Sequence, residues 1–434
     1  MSLPNVPPIP TTEVAQLIDL HLGELRGADP SWVLTDSPIS GRGVFARRDI
    51  KSGELIFRES ALLNGPTASN DTNLNTCTIC FRLLEGPMEQ VLCAAGCSLP
   101  ICNACGQSER HAMDCKLFRS WRPKDTTRVH PHSLRILSVV RCYFLAPEKR
   151  KLLLAMQVNS DKYYLREVER AAKCFENFPQ DKDRLSYAYH TVCACNTNAY
   201  EVRSIVDGHE TMVRGLFALA GFMNHNCTPN SSHHFEDGQT IVVTAARDIA
   251  QGEEITATYT KILWNTLSRQ LFLRATKHFV CSCKRCSDPT ENGTYLSALF
   301  CREQGCKGIV IPLQAKTLQP DWRCLTCDTV FPHSKMSRYQ DFALNTINNR
   351  INTSTVHELI NFINEMCPRF CPPSNYVLVE AKLNVIWRMQ RYKGDCTAEE
   401  MQHRDRYREE ILKILEKLGA GDCTLKKLIT DEIP

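Results

Sequence analysis

The cysteines constrain this chain more than any other feature, because most of its 23 cysteines fall in short-spaced sets rather than singly. The first residues lack a basic segment followed by an apolar one, so we expect no secretory signal peptide. The compartment is then expected to be reducing, either the nucleus or the cytoplasm, where paired thiols indicate bound metal rather than disulfides. No apolar run approaches the length needed to cross a bilayer, so no membrane partner is expected.

Length and composition indicate a globular protein of ordinary charge. A chain of 434 residues can bury a substantial core and is expected to form about two to four units. It has 43% hydrophobic residues, 23% charged residues and a net charge of +4. This composition predicts neither a highly basic protein that binds nucleic acid nor an acidic tail within the chain. The basic run at 116–135 is interpreted as a solvated face. A docking site for an acidic partner is the alternative there, and direct DNA binding is not expected.

The segment from residue 77 to 115 carries eight candidate metal ligands. Eight thiol and imidazole groups suit two four-coordinate zinc ions, and metal would replace the core that so short a segment lacks. The spacings alone do not decide which ligands share an ion. The candidates are Cys77, Cys80, Cys93, Cys97, Cys102, Cys105, His111 and Cys115.

Two further ligand sets lie downstream. In the first, the cysteine of the segment NHNCTPN (224–230) joins three cysteines of CSCKRC (281–286), so that the metal would hold the two segments together. In the second, a CxxxxC pair followed by a CxxC pair has the layout of a zinc ribbon. Reduced thiols in a core are the alternative for both. The ligands are Cys227, Cys281, Cys283 and Cys286 in the first set, and Cys301, Cys306, Cys324 and Cys327 in the second.

Two similar segments predict a β domain that is split in sequence. RDIKSGELI (48–56) and RDIAQGEEI (247–255) each place a glycine where a turn between strands needs a positive φ. Residues 133–199 have a helical pattern, so the two corners are separated by an insertion. A hairpin is predicted around Asp237-Gly238. Further helices are predicted at 11–25, 374–392 and 397–418, the first capped by Thr11 or Thr12 and the last opening with a capping box.

Read in order, these motifs resemble those of the SET and MYND domain (SMYD-type) protein lysine methyltransferases. The resemblance covers about residues 32–287, and the ribbon-like addition and N-terminal extension are most similar to the arthropod SmydA branch. The motifs that carry it are GRGVF (41–45), the cysteine array, RGLFALAGFMNHNCTPN (214–230), RDIAQGEEITATY (247–259) and CSCKRC (281–286).

The resemblance implies an α+β fold class. A split SET β-fold is interrupted by a MYND zinc module and a helical insert, and is followed by a post-SET zinc region and an α-helical C-terminal domain. The expected units are an N-terminal helical extension (1–30), the SET N-terminal part (31–76), the MYND-type module (77–115), the helical insert (116–199), the SET C-terminal part (200–280), the post-SET cluster with the ribbon-like segment (281–330) and the helical C-terminal domain (331–434).

The resemblance also implies how the zinc ligands pair. In the MYND-type module an interleaved arrangement is expected, in which the first and third cysteine pairs share one ion and the second pair shares the other with His111 and Cys115. One more zinc is expected in the post-SET cluster and a fourth in the ribbon-like segment.

The implied activity is methyl transfer from S-adenosylmethionine to the ε-amine of an exposed lysine on a histone or another protein. A role in transcriptional regulation, with co-regulators as partners, is also expected. A free lysine has a pKa of about 10.4 and is protonated, so the site must favour the neutral amine and position it. The residues implied are Tyr259 at the methyl-transfer centre, Gly41, Arg42 and Gly43 in a turn along the cofactor, Asn224 and His225 at its methionine and adenosine portions, and Phe279 against the adenine.

A second hypothesis is a catalytically weak or inactive adaptor that recruits partners through its zinc module and helical tail. Ser40 and Lys277 stand where many relatives have a lysine and an aromatic residue, respectively. Taken alone, Tyr259 also fits an ordinary strand aromatic and His225 a core histidine. No cofactor contact from the helical insert can be placed from the sequence.

Overall fold

The computed structural model describes residues 7–67, 74–314, 316–391 and 396–430. A first helix and strands from both sides of the insertion form the β framework. These elements are α1 (Thr11–Leu22), β1 (Trp32–Asp36), β2 (Arg42–Ala46), β3 (Leu55–Ser60), β4 (Leu63–Pro66), β5 (Tyr200–Val206), β6 (His209–Leu216), β7 (Ser231–Glu236), β8 (Thr240–Ala245) and β9 (Glu254–Ile255).

The β framework consists of three antiparallel three-stranded sheets, with strand orders β1-β2-β9, β3-β8-β7 and β4-β6-β5. Each sheet combines strands from before and after the insertion. The two similar corners pair directly, since Ile50 and Ile249 exchange backbone hydrogen bonds of 2.9 Å. Gly53 and Gly252 supply the positive φ of the turns, at 81° and 80°. The prediction of one split β domain is therefore confirmed.

The inserted segments are mainly helical, and the cysteine-rich segment (77–115) shares a core with the helices that follow it. Leu99, Phe118 and Trp121 pack with Leu137 and Phe175. The expected boundary after residue 115 falls inside α4, because Ser108 caps this helix and its last turns bury aromatic side chains. The helices are α2 (Met88–Val91), α3 (Asn103–Gly106), α4 (Glu109–Trp121), α5 (Pro131–Val140), α6 (Pro147–Ala155), α7 (Lys162–Ala172) and α8 (Lys182–Asn198).

The C-terminal half begins with short elements around the cysteine clusters and ends in a helical domain. A π-helical turn, Leu273–Lys277, follows α10. The expected boundary after residue 330 falls inside the last strand of a small four-stranded sheet, β10-β11-β12-β13. The elements are α9 (Ala218–Gly221), α10 (Thr266–Phe272), α11 (Lys284–Ser287), β10 (Leu299–Phe300), β11 (Ile309–Pro312), β12 (Trp322–Cys324), β13 (Val330–Phe331), α12 (His333–Thr353), α13 (Val356–Asn361), α14 (Tyr376–Arg391), α15 (Ala398–Leu418) and α16 (Thr424–Ile429).

Helix ends were predicted with mixed success. The capping box at the start of α15 is confirmed, with Thr397 and Glu400 bonded reciprocally. The predicted threonine cap of α1 is wrong, because the helix begins at Thr11 itself and the Thr11 hydroxyl donates to Asp36 instead. The helix predicted at 11–25 ends earlier, at Leu22, and Leu25 lies beyond its end and is exposed. Mixed helices and sheets confirm the α+β class. None of the helices in the described ranges is long and apolar enough to cross a membrane.

The buried carboxylate of Glu59, in β3, fixes the start of α9. It accepts hydrogen bonds from the backbone N–H groups of Ala218, Leu219 and Ala220 at 2.5, 3.0 and 3.0 Å. His21 of α1 donates to the same carboxylate at 3.1 Å. Since the segment Asn224–Asn230 follows α9 directly, Glu59 determines where that segment begins.

Replacing Glu59 by glutamine should destabilise the fold by about 3 kcal/mol, because hydrogen bonds to a buried charge are lost and an amide N–H₂ then faces backbone donors. The matched control is Glu54→Gln, which removes a partly exposed ion pair with Arg48 and should cost less than about 1 kcal/mol. Chemical denaturation of the zinc-loaded protein measures both. Equal effects of the two substitutions would contradict the assigned role of Glu59.

Candidate active site and metal centres

The structure brings the sixteen sequence-predicted metal ligands together in four groups of four. Within each group the ligand atoms lie within 4.8 Å of one another. In the cysteine-rich segment the grouping is the interleaved one. Thiol and imidazole groups at such distances match the donors of a tetrahedral zinc site. The groups are Cys77, Cys80, Cys102 and Cys105; Cys93, Cys97, His111 and Cys115; Cys227, Cys281, Cys283 and Cys286; and Cys301, Cys306, Cys324 and Cys327.

The third group, hereafter the Cys227 cluster, joins the segment after α9 to the chain around α11. The sulfur of Cys227 lies 3.8 Å from that of Cys281 and 3.4 Å from that of Cys286, and all three residues are buried. Arg285 lies inside the same motif, and its guanidinium donates to the carbonyls of Cys227 (3.2 Å) and Ile262 (2.7 Å). Hydrogen bonds of Arg285 thus join the two segments that contribute the cysteines of the cluster, and they also reach the segment after β9.

A buried carboxylate supports the Cys227 cluster from below. Glu291 accepts from Arg269 at 2.8 Å, from Arg285 at 3.2 Å and from the hydroxyl of Ser297 at 2.7 Å. Burial opposes ionisation of Glu291, but the two guanidinium groups outweigh it and lower the pKa of this carboxyl. Glu291 therefore shares the two buried guanidinium charges with the sulfurs of the cluster, of which Cys286 accepts from Arg269 at 3.7 Å.

A cavity of about 650 Å³ lies beside the Cys227 cluster, between the turn before β2, the insert and the segment after α9. Most of the predicted active-site residues line it. The lining residues are Ile39, Ser40, Gly41, Arg42, Ala155, Gln157, Asn159, Thr197, Asn198, Gly221, Phe222, Asn224, His225, Asn226, Tyr259, Lys277, His278, Phe279, Val280, Cys281, Ser282 and Cys283.

Asn224 is held at the edge of this cavity by three acceptors. Its amide donates to the carbonyls of Ser40 (3.2 Å) and Arg42 (3.0 Å) and to the carboxylate of Glu254 (2.7 Å). Ser37 donates to the same carboxylate at 2.8 and 2.9 Å. The turn at 40–42 and the start of β9 therefore meet at Asn224.

The predicted glycine turn has two different roles in the structure. Gly41 lines the cavity with a φ of 52°, which favours glycine. Gly43 does not line it, because it lies within β2 and faces Glu254. A Cβ at this position would lie 2.2 Å from the Oε1 atom of Glu254. Gly43 thus makes room for the carboxylate that holds Asn224, rather than for a ligand.

The guanidinium of Arg42 serves mainly to connect elements. It donates to the carbonyls of Ile9 and Ala155 and to the hydroxyl of Thr11. Burial lowers its pKa. Arg42 thus ties the N-terminal helix and α6 to the wall of the cavity.

His225 connects the cavity to the metal cluster. Its Nδ1 accepts from the backbone N–H of Tyr259 at 3.0 Å, and its Nε2 lies 3.2 Å from the sulfur of Cys227. Because Nδ1 is the acceptor, Nε2 carries the proton and donates to the sulfur. Burial lowers the pKa of His225 to about 4, so the ring is neutral at physiological pH.

Tyr259 forms the floor of the cavity. Its hydroxyl donates to the carbonyl of Met223 at 2.7 Å, and burial raises the pKa of the phenol. The ring centroids of His225 and Phe279 lie 5.1 and 6.4 Å from that of Tyr259. The tyrosine is therefore a neutral, fixed hydroxyl within an aromatic cluster.

The insert supplies a wall that the sequence did not reveal. Asn159 donates through its backbone N–H to the hydroxyl of Thr197 (3.0 Å) and through its amide to the carbonyl of Lys277 (3.3 Å). Asn198 and Gln157 complete this side. These contacts join residues 38 and 118 positions apart, and no local pattern predicts them. Glu254, by contrast, belongs to the GEE motif, and the motif could have identified it.

Replacing Glu291 by glutamine should destabilise the protein by about 3–5 kcal/mol, since two buried guanidinium groups would lose the carboxylate that binds both of them and keep only the sulfurs of the Cys227 cluster as negative partners. Glu380→Gln is the control, because Glu380 forms a partly exposed pair with Lys261 and its loss should cost less than about 1 kcal/mol. Denaturation midpoints of the zinc-loaded variants test this. A Glu291 variant as stable as the control would refute it.

Comparisons with known proteins show the family of this chain. The SET domain family matches residues 41–260, just over half of the chain. The "SET domain-containing protein SmydA-8, isoform B" of Drosophila melanogaster is 64% identical over 98% of this chain and 95% of its own length. "Histone-lysine N-methyltransferase SMYD3" of Homo sapiens is 27% identical over 59% of this chain and 61% of its own. A crystal structure of the SET domain of LSMT bound to MeLysine and AdoHcy covers 99% of this chain and 92% of its own at 12% identity, with a TM-score of 0.38 that is too low to support an argument. This chain belongs to the SET domain family and, within it, to the SMYD-type SmydA proteins.

Proposed function

We propose that this protein is an S-adenosylmethionine-dependent protein lysine methyltransferase. The observation that carries the proposal is the position of Tyr259, whose neutral hydroxyl lies on the floor of the cavity lined by Asn224, His225 and the Gly41 turn. A volume of about 650 Å³ suits a cofactor built of a nucleoside and an amino acid. Relatives named as lysine methyltransferases, among them human SMYD3, support the same activity.

The cofactor, when bound, supplies an electrophilic methyl group on a sulfonium. The residues of this chain then have to hold the donor and exclude water. Asn224 is pre-oriented by Glu254, and His225 by the backbone of Tyr259, so neither has to reorganise on binding. The aromatic cluster of Tyr259 and Phe279 provides an apolar wall that favours a neutral target amine.

Tyr259 positions the amine rather than deprotonating it. Its hydroxyl proton is used in the bond to Met223, which leaves the lone pairs of the oxygen as acceptors. The raised pKa keeps the phenol neutral. The ammonium group of the substrate lysine must therefore lose its proton to water before the neutral amine attacks. The expected partner is a protein substrate with an exposed lysine. We expect the reaction to take place in the nucleus or cytoplasm. Proteins of transcriptional regulation are candidate substrates there.

We propose further that zinc fills all four ligand groups. Every donor is a thiol or an imidazole, the ligands that zinc prefers in structural sites. Such sites would stabilise the short cysteine-rich segment and the ribbon-like segment, where few apolar residues are buried.

Purified protein should contain four zinc ions per chain, one for each ligand group. Elemental analysis by mass spectrometry measures this ratio. Cys324→Ser should remove one equivalent, because a tetrahedral site loses a ligand. Cys142→Ala is the control, since Cys142 is buried but belongs to none of the groups, and it should remove none. Zinc contents that are equal in the two variants would contradict the assignment.

An adaptor without strong catalysis is the second candidate. The observation that favours it is Lys277, whose amine lies in the cavity that would hold a cationic cofactor. In that case the zinc-type modules and the C-terminal helices would recruit partners, and the protein would catalyse methyl transfer only slowly.

Transfer of labelled methyl groups to histones and cell extract distinguishes the two. Tyr259→Phe should lower turnover by about 100-fold, because a fixed polar group at the reacting centre is lost. It should leave binding of S-adenosylhomocysteine unchanged. Tyr143→Phe is the control, since that hydroxyl donates to Arg184 in the insert, and it should keep full activity. The methyltransferase proposal fails if no protein is labelled, or if the two variants are equally active.

A further inference from the structure

Lys277 is the most unusual residue of the cavity of about 650 Å³ beside the Cys227 cluster, hereafter the donor cavity. It ends the π-helical turn Leu273–Lys277, and its amine donates to the carbonyl of Thr197 at 2.5 Å. The Nζ atom lies 5.4 Å from the centroid of the Tyr259 ring. The carbonyl of Lys277 accepts from Asn159, so both ends of the residue are held against the insert. The amine therefore lies near the proposed reacting centre, not at the cavity mouth.

No carboxylate compensates this amine. Within the described parts of the chain, Lys277 has no ion-pair partner, and Glu254 instead pairs with Ser37 and Asn224. Burial lowers the pKa of Lys277 to about 8. Other titratable or charged groups also line the cavity, and they are Arg42, His225, Tyr259, Cys281, Cys283 and the exposed His278.

We propose that Lys277 makes the cavity discriminate between the two charge states of the cofactor, so that neutral S-adenosylhomocysteine binds more tightly than cationic S-adenosylmethionine while the lysine is protonated. This inference rests on the proposed function, because it assumes that the cavity holds this cofactor. The two ligands share the same adenosine, amine and carboxylate, and differ by one methyl group and one positive charge. An ammonium in the same cavity repels the sulfonium, which only S-adenosylmethionine carries, whereas its interactions with the shared amine and carboxylate are common to both ligands.

Discrimination should therefore depend on pH. Below about pH 8 Lys277 carries its charge and disfavours the sulfonium, and above that value the neutral amine no longer does so. Among the other cavity groups, burial holds the pKa of His225 at about 4 and raises that of Tyr259. Methyl-donor loading, and with it turnover, should rise as the solution becomes alkaline.

Isothermal titration of the zinc-loaded full chain with each ligand at about pH 6.5 and about pH 9.5 tests this. The ratio of the two affinities cancels effects that both ligands share. The sulfonium makes the ligands' own amines titrate differently, and Lys277→Met measures that contribution, because it lacks the charge at position 277. In the unmodified protein the preference for S-adenosylhomocysteine should fall by about tenfold or more between the two pH values.

Two substitutions separate charge from shape. Lys277→Arg keeps a charge at both pH values and should retain the preference throughout. Lys277→Met has no charge and should show little preference at either pH. Lys261→Met is the matched control, because its amine also lies near an aromatic ring, that of Trp264 at 5.7 Å, but outside the donor cavity. It should reproduce the unmodified ratio.

Any of the following results would overturn the inference. A ratio that does not change with pH, or that changes equally in Lys277→Met, removes the role of this charge. Equal weakening of both ligands in Lys277→Met would show that the amine holds the shared carboxylate instead. If neither ligand binds the protein or any variant, the proposed function fails with it. Binding of both ligands without discrimination leaves the proposed function intact and refutes only the role of Lys277.

Discussion

The Cys227 cluster is the contact on which the rest of the site depends. One of its sulfurs follows Asn224 and His225 by a few residues, and the other three lie more than fifty residues further along the chain. Closing a loop of that length costs conformational entropy, and a metal with four thiolates can supply the free energy that offsets it. Phe279, Val280 and Cys281 to Cys283, which line the cavity, immediately precede or belong to this cluster. The shape of the donor cavity is consequently expected to depend on metal binding at the Cys227 cluster.

Buried charges complete the positioning, and each one joins segments that are distant in sequence. Glu59 places the start of α9, Glu254 orients Asn224, and Glu291 balances two arginines under the cluster. In the insertion, Arg141 pairs with Asp114 at 2.6 Å and also donates to the carbonyls of Asn64 and Thr78. These groups rarely move, because separating a buried charge from its partners is costly. The cavity is thereby organised before any ligand arrives. Lys277 is the exception, a half-buried cation without such a partner among the described residues.

Much of this organisation could be predicted from the sequence where a local pattern carried it. Short cysteine spacings indicated the metal groups, the paired RDI corners indicated a split β domain, and Asp237-Gly238 indicated the hairpin. The pairing of ligands within residues 77–115 came from the family resemblance, since spacing alone allowed several. The long-range contacts were not predictable, because nothing near Glu59 or Asn159 in sequence indicates their partners. The motif also gave no sign that Gly43 leaves room for the carboxylate of Glu254. The domain limits and the roles of the site residues stay predictions.

The most direct test of the account is the affinity of S-adenosylhomocysteine for two single-cysteine variants, measured by isothermal titration. Cys283→Ser weakens the Cys227 cluster, while Cys105→Ser weakens a group in the cysteine-rich segment. If the cluster holds the cavity wall in place, the first variant loses binding and the second binds like the unmodified protein. Unchanged binding by Cys283→Ser, with its zinc equivalent lost, would contradict the central claim.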